Sequence, residues 1–112
     1  MKLAELDCQP CHGQATAANE QEIQTALADL PGWHLDSNQQ MPTIVKLFRF
    51  KKYSAAAEFT QKVAALADAQ GHHPQIVLEW GQVTVRWWTH TLKGLHLNDF
   101  ICAAKTDKLY LS

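Results

Sequence analysis

Six histidines stand out among the 112 residues of the chain, because imidazole is the side chain whose ordinary pKa, about 6.5, lies nearest neutrality. Three of them converge if one hairpin folds as its sequence suggests. Gln75 to Glu79 and Gln82 to Thr89 have strand composition and flank Trp80-Gly81. A two-residue turn there pairs Glu79 with Gln82, so the numbers of paired residues sum to 161 and His90 falls opposite residue 71. His90 is then beside His72 at the open end of the hairpin, one residue off register, where strands about 4.8 Å apart bring side chains together. His73 follows directly. Asp68, one turn back on the preceding helix, and Asp99, on the first turn of a last helix, are the carboxylates expected to orient these rings and raise their basicity. Imidazoles so placed can give and take protons without a metal or redox group. The register carries the argument, since a slip of one residue would turn His90 to the opposite face.

The same residue types allow other chemistries. Three histidines and a carboxylate can hold zinc or iron, but successive residues of an extended dipeptide point to opposite sides, so His72 and His73 are poor partners on one ion. His34 and His96 read as ordinary surface or hydrogen-bonded histidines. Cys8-Gln9-Pro10-Cys11-His12 matches the C-x-x-C-H pattern of c-type haem attachment. A C-x-x-C pair can also hold zinc or cycle through a disulfide, although a zinc site needs about four ligands and only His12 is local. The string begins outside the periodic part of the chain and has no export signal before it. Cys102 reads as a small buried apolar residue.

The elements that must hold the histidines follow from periodicity. Residues 1 to about 18 show no sustained period and read as a loosely ordered tail. Asn19 can cap a short helix in which Glu20 and Glu22 suit the first turn and Ile23, Ala26, Leu27 and Leu30 recur at helical spacing until Pro31-Gly32. Trp33 and Leu35 alternate with His34 and Asp36. Ser37-Asn38-Gln39-Gln40 then reads as a turn, and Thr43 to Phe50 as the second strand of a hairpin. Tyr53 to Gln70 is rich in alanine, and Phe59, Val63 and Leu66 form one apolar stripe, which predicts a helix of about five turns. Gly71 suits a left-handed C-cap and Pro74 forces His73 to be extended, so the helix must stop just before the two histidines. Val83, Val85 and Trp87 should face one side of the last strand, and Thr84, Arg86, Trp88 and His90 the other. Asn98 is the expected N-cap of the final helix. The order is α-ββ-α-ββ-α, an α+β fold with a four-stranded antiparallel sheet and the helices on one face.

Composition narrows the class. At 12.6 kDa, with 46% hydrophobic and 19% charged residues, the chain fits one domain, 19–112 after the tail, with no room for a second. Ten basic against eleven acidic residues, with arginine only at Arg49 and Arg86, give a net charge of -1. That field calls for neither nucleic acid nor an anionic membrane. No apolar run suits a signal peptide or a membrane span, and three cysteines make a poor disulfide framework, so a reducing cytoplasm is the expected location.

The run Asp68-Ala-Gln-Gly-His72-His73-Pro74, followed at intervals by Trp80, His90 and Asp99, resembles the signature of the pterin-4a-carbinolamine dehydratase family. Glu79-Trp80-Gly81-Gln82-Val83-Thr84-Val85, Lys93-Gly94-Leu95 and Asn98-Asp99-Phe100 are similar to its bacterial members, over about Asn19 to Lys105. Many animal members carry an acidic residue where this chain has Gly71, so an orienting carboxylate there must be replaced by Asp68 or be absent. The resemblance implies dehydration of 4a-hydroxytetrahydropterin to quinonoid dihydropterin, in the recycling of the cofactor of aromatic amino-acid hydroxylases. It implies His72 and His90 as the acid–base pair and His73 mainly as a pterin-binding group. Asp68 and Asp99 would be orienters and Trp80 packing or pocket lining, with no metal and no cofactor. It further implies a homo-oligomer, dimer or tetramer. The alternative it carries is a non-enzymatic role as dimerisation partner of a transcription factor or regulator of a hydroxylase. Bacterial relatives often show a similar cysteine pair in the tail.

Overall fold

The computed structural model describes residues 3–6, 8, 17–38 and 41–111. Helix α1 spans Glu20–Ala28 and starts as its residues require: the Asn19 side chain accepts from the Glu22 N–H at 2.8 Å, and the Glu22 carboxylate accepts from the Asn19 N–H at 2.9 Å. Strands β1 (His34–Asn38) and β2 (Met41–Arg49) follow. Ser37 pairs with Pro42 and Asn38 with Met41, so these two residues of the turn expected over 37–40 belong to β1; residues 39–40 lie outside the described residues. Helix α2 is Tyr53–Gln70, and β3 (Gln75–Glu79) and β4 (Gln82–Trp87) form the second hairpin. Helix α3 is Leu97–Leu111.

The four strands are antiparallel in the order β1-β2-β4-β3. Glu79 pairs with Gln82 and Gln75 with Arg86, the register inferred from the Trp80-Gly81 turn. Gly81 makes that turn with φ at 80°, a left-handed value that a β-carbon would strain. One face of the sheet is the core: Ile44 and Phe48 of β2 and Val83, Val85 and Trp87 of β4 are buried, against Ala56, Phe59, Val63 and Ala67 of α2 and Phe100 and Ala103 of α3. The residues between them, such as Leu47, Thr84 and Val77, lie on an open face. Alternation of this kind fixes register, because a slip would exchange the two sets.

Two boundaries differ from expectation. Strand β4 ends at Trp87 rather than Thr89; a single bridge, Thr89 to Gly94, follows, and His90–Leu92 is a 3-10 turn. The last helix is capped by His96 and not by Asn98. The His96 ring Nδ1 accepts from the Asn98 N–H at 3.1 Å while the Asp99 carboxylate accepts from the His96 N–H at 3.0 Å. Part of the segment expected to be loose is folded: Leu3–Glu5 is a 3-10 turn, Lys105 Nζ donates to the Ala4 carbonyl at 3.0 Å, and Leu3 and Cys8 pack on the core. Among the described residues no helix is long and apolar enough to cross a membrane.

Candidate active site

His72 is placed by the end of α2. Gly71 takes a left-handed conformation with φ at 65°, and the His72 N–H turns back to donate to the Ala67 carbonyl at 3.1 Å. This closes the helix and aims the imidazole at the end of the sheet. There the ring lies nearly parallel to the Trp87 indole, 11° between planes and 5.6 Å between centroids, and its Nε2 meets the Asp99 carboxylate at 2.5 Å. Asp99 arrives from the first turn of α3, so two helices and a strand meet at this pair.

Asp99 is fully buried, and a buried carboxylate is tolerated only when its lone pairs are used. They are. The Thr89 hydroxyl donates to Oδ2 at 2.8 Å, the His96 backbone N–H donates to the same oxygen at 3.0 Å, and Oδ1 takes His72. The capping box of α3 and the orientation of His72 thus share one side chain. The His72 side chain is 11% exposed. Burial disfavours its charged form, but the hydrogen bond and charge of Asp99, with a further contribution from Cys8, outweigh burial and hold its pKa above the ordinary histidine value. With Nε2–H directed at Asp99, Nδ1 is the nitrogen left for proton exchange.

The other expected residues fall in three different settings. His73, extended before Pro74, meets Asp68 at 3.2 Å in the open, with side-chain exposures of 66% and 84%. His72 and His73 therefore serve different carboxylates. His90 is exposed, and its ring lies 4.5 Å from that of Trp88. It reaches this position on the 3-10 turn and not by strand pairing, and among the described residues no hydrogen bond joins any two of His72, His73 and His90. Trp80 is 79% exposed at the turn of the β3–β4 hairpin, at the opposite end from the histidines. Five strand residues separate the two, roughly 17 Å, so Trp80 does not line this site within one protomer. His34 is exposed. Cys11 and His12 lie outside the described residues, whose His, Cys, Asp and Glu side chains include no group of three or more arranged to hold a metal ion.

Thr89, His96 and Trp87 escaped the sequence reading as site residues. A signal existed for His96: the spacing His96-x-x-Asp99 is that of a cap and its third helical residue. Nothing local marks Thr89, which becomes a donor only once the chain leaves β4 beneath α3.

Comparison with known proteins gives a consistent answer. A family model described as "Pterin 4 alpha carbinolamine dehydratase" matches residues 16–109. A Vibrio vulnificus (strain YJ016) protein named "Putative pterin-4-alpha-carbinolamine dehydratase" is 49% identical over 107 residues, 96% of this chain and 97% of that protein. A protein of the same name from Marinobacter nauticus is 48% identical over 108 residues, with the same coverage. Among solved structures, a "transcriptional coactivator/pterin dehydratase from Brucella Melitensis" superposes with a TM-score of 0.76 at 29% identity, over 84% of this chain and 98% of that one. A pterin dehydratase-like protein identified as a RuBisCO assembly factor in the alpha-carboxysome superposes with a TM-score of 0.61 at 28% identity, over 72% and 92%.

Proposed function

The chain belongs to the pterin 4 alpha carbinolamine dehydratase family, and from that premise we propose that it is a hydro-lyase that removes water from 4a-hydroxytetrahydropterin to give quinonoid dihydropterin. The observation that carries the reading is the buried Asp99 carboxylate, fixed by Thr89 and the His96 N–H, holding His72 in one orientation with a raised pKa. The elimination breaks the C4a–O bond, forms C4a=N5 and moves two protons with no net change of oxidation state. His72, kept protonated by Asp99, gives a proton from Nδ1 to the departing hydroxyl. His90, exposed beside Trp88, takes the proton from N5. Solvent returns both rings to their starting states. His73, at the rim with Asp68, contacts the pterin. Such acid–base assistance contributes on the order of 100-fold or more per group.

The physiological setting of this reading is tetrahydropterin recycling for an aromatic amino-acid hydroxylase, in the cytoplasm and as a homo-oligomer. The open sheet face favours the last point, since Leu47 and Val77 are about two-fifths exposed there. The test is the decay of 4a-hydroxypterin absorbance with purified protein. Acceleration by the wild type and its loss in His72→Ala and His90→Ala is the expected result; unchanged rates in both variants would sink the assignment.

A second reading, a binding or regulatory protein, is favoured by the names of the two structural neighbours, one a coactivator and one an assembly factor. A His72→Ala/His90→Ala double variant that still supports hydroxylase expression in cells selects this reading over catalysis.

A further inference from the structure

No sulfur gives or takes a proton in the elimination, yet two thiols meet beside the His72–Asp99 pair. Cys8 Sγ lies 3.3 Å from Cys102 Sγ, and both cysteines are free. The two residues are 94 positions apart in sequence. Cys102 is fully buried on α3, one turn beyond Asp99. Cys8 is half-buried and held from two sides: its N–H donates to the Gln70 side-chain carbonyl at 2.9 Å, and its S–H points at the Asn98 carbonyl at 3.7 Å. Gln70 ends α2 two residues before His72, and Asn98 precedes Asp99. The thiol pair therefore bridges the N-terminal segment, α2 and α3 at the point where these helices build the site.

We propose that Cys8 and Cys102 form a reversible disulfide that clamps the N-terminal segment onto α3 beside His72 and Asp99. A disulfide needs its sulfurs at about 2.05 Å, and the two are already in contact at 3.3 Å. The two thiols have unlike environments, as a stepwise exchange requires. Hydrogen bonding from Cys102 holds the Cys8 thiol below its ordinary pKa against the opposing effect of burial, with help from His72 and Lys105. The same bond to Cys8, and burial, push the Cys102 thiol up. Cys8 is thus the attacking sulfur and Cys102 the resolving one.

The oxidant is a low-molecular-weight disulfide. Cys8 thiolate attacks one sulfur of R–S–S–R, the S–S bond breaks, and one RS⁻ leaves with the electron pair and takes up a proton. Cys102 Sγ then attacks the Cys8 sulfur of the mixed disulfide, expels the second RS⁻ and yields its proton to it. Two protein thiols are oxidised and one external disulfide is reduced to two thiols. A dithiol reverses the sequence. The consequence for catalysis rests on the function proposed above: a disulfide carries no negative charge beside His72, so the upward contribution of Cys8 to the His72 pKa is lost and its titration moves to lower pH.

The experiment is titration of the full chain with oxidised glutathione, followed by non-reducing peptide mapping. A Cys8–Cys102 linked peptide is expected. Dithiothreitol should remove it; Cys8→Ser and Cys102→Ser should lack it; Cys11→Ser should retain it. The Tm should rise by at least about 5 °C on oxidation, because a long loop is closed in the unfolded chain. The NMR titration midpoint of His72 should fall. A Cys8–Cys11 link in place of Cys8–Cys102, or glutathione retained on Cys8 without exchange, overturns the proposal. The two ideas fail separately: a bridge that forms in a protein whose activity survives His72→Ala leaves the switch without a catalytic target, whereas loss of activity in His72→Ala without a bridge removes the switch alone.

Discussion

Adjacent residues in this chain make the same kind of pair in opposite surroundings. His72 meets Asp99 with the ring 11% exposed and the carboxylate fully buried, whereas His73 meets Asp68 with 66% and 84% exposed. The first pair joins segments 27 residues apart and is backed by Thr89, the His96 N–H and the Trp87 ring; the second spans five residues and has no such backing among the described residues. The chemistry of the two pairs is alike, so the difference is made by the fold. In water two such groups are free to separate and their attraction is screened. In the site the carboxylate cannot leave, and its charge is spent on one ring orientation. The buried pair shifts its histidine upward.

The comparison breaks most plainly at its buried end. Asp99→Asn keeps the shape of the side chain and removes its charge, so His72 should lose its elevated pKa and dehydratase activity at neutral pH should fall by roughly 100-fold, the scale of a lost acid–base group. An NMR titration of the ring distinguishes this from simple unfolding. His72→Ala should lose at least as much, without recovery at any pH. An Asp99→Asn protein with a His72 midpoint like the wild type's would show that Asp99 does not set it.

A pH dependence of stability follows from the same shift. Because His72 binds its proton more tightly in the folded state, its contribution is fully present below the unfolded value of about 6.5 and is lost as pH rises through the higher folded value. The difference in Tm between wild type and Asp99→Asn should therefore be largest near pH 6 and shrink toward pH 8. A difference that grows with pH would reverse the sign of the coupling. Next in size is Thr89→Val, which deletes the hydroxyl donor to Asp99 Oδ2 at nearly constant volume. It should cost about 1–3 kcal/mol in denaturant unfolding, the range for a buried acceptor left short of a donor, and lower activity several-fold through a looser Asp99.

The same contrast explains which features are legible in the sequence. Local rules carried the elements: Asn19 and Glu22 cap α1, Gly71 ends α2, and the Trp80-Gly81 turn sets the β3–β4 register down to Gln75 and Arg86. The register also puts Asp99 and His72 at one end of the sheet. It failed beyond Trp87, because the strand stops and a 3-10 turn, not a ladder partner, carries His90. Trp80, grouped with the site by its spacing in the signature, occupies the far end of the hairpin. Thr89 and the meeting of Cys8 with Cys102 depend on how α3 crosses the sheet end, a tertiary fact that no local pattern encodes.

The exposed pair provides the control. Asp68→Asn removes the carboxylate bonded to His73, yet both partners are solvated and an ion pair of this kind is worth little. Folding stability should stay within about 0.5 kcal/mol of wild type, and kcat should be unchanged within about twofold. If His73 contacts the pterin, as proposed, the effect of loosening it belongs in KM, and raising the salt concentration should imitate the substitution, because screening acts on exposed charges and hardly on buried ones. The Asp99–His72 pair should be insensitive to the same salt. A large fall in kcat for Asp68→Asn would mean that the two pairs work as one unit in the bound complex, and that the exposure of His73 in the free protein misrepresents its setting during the reaction.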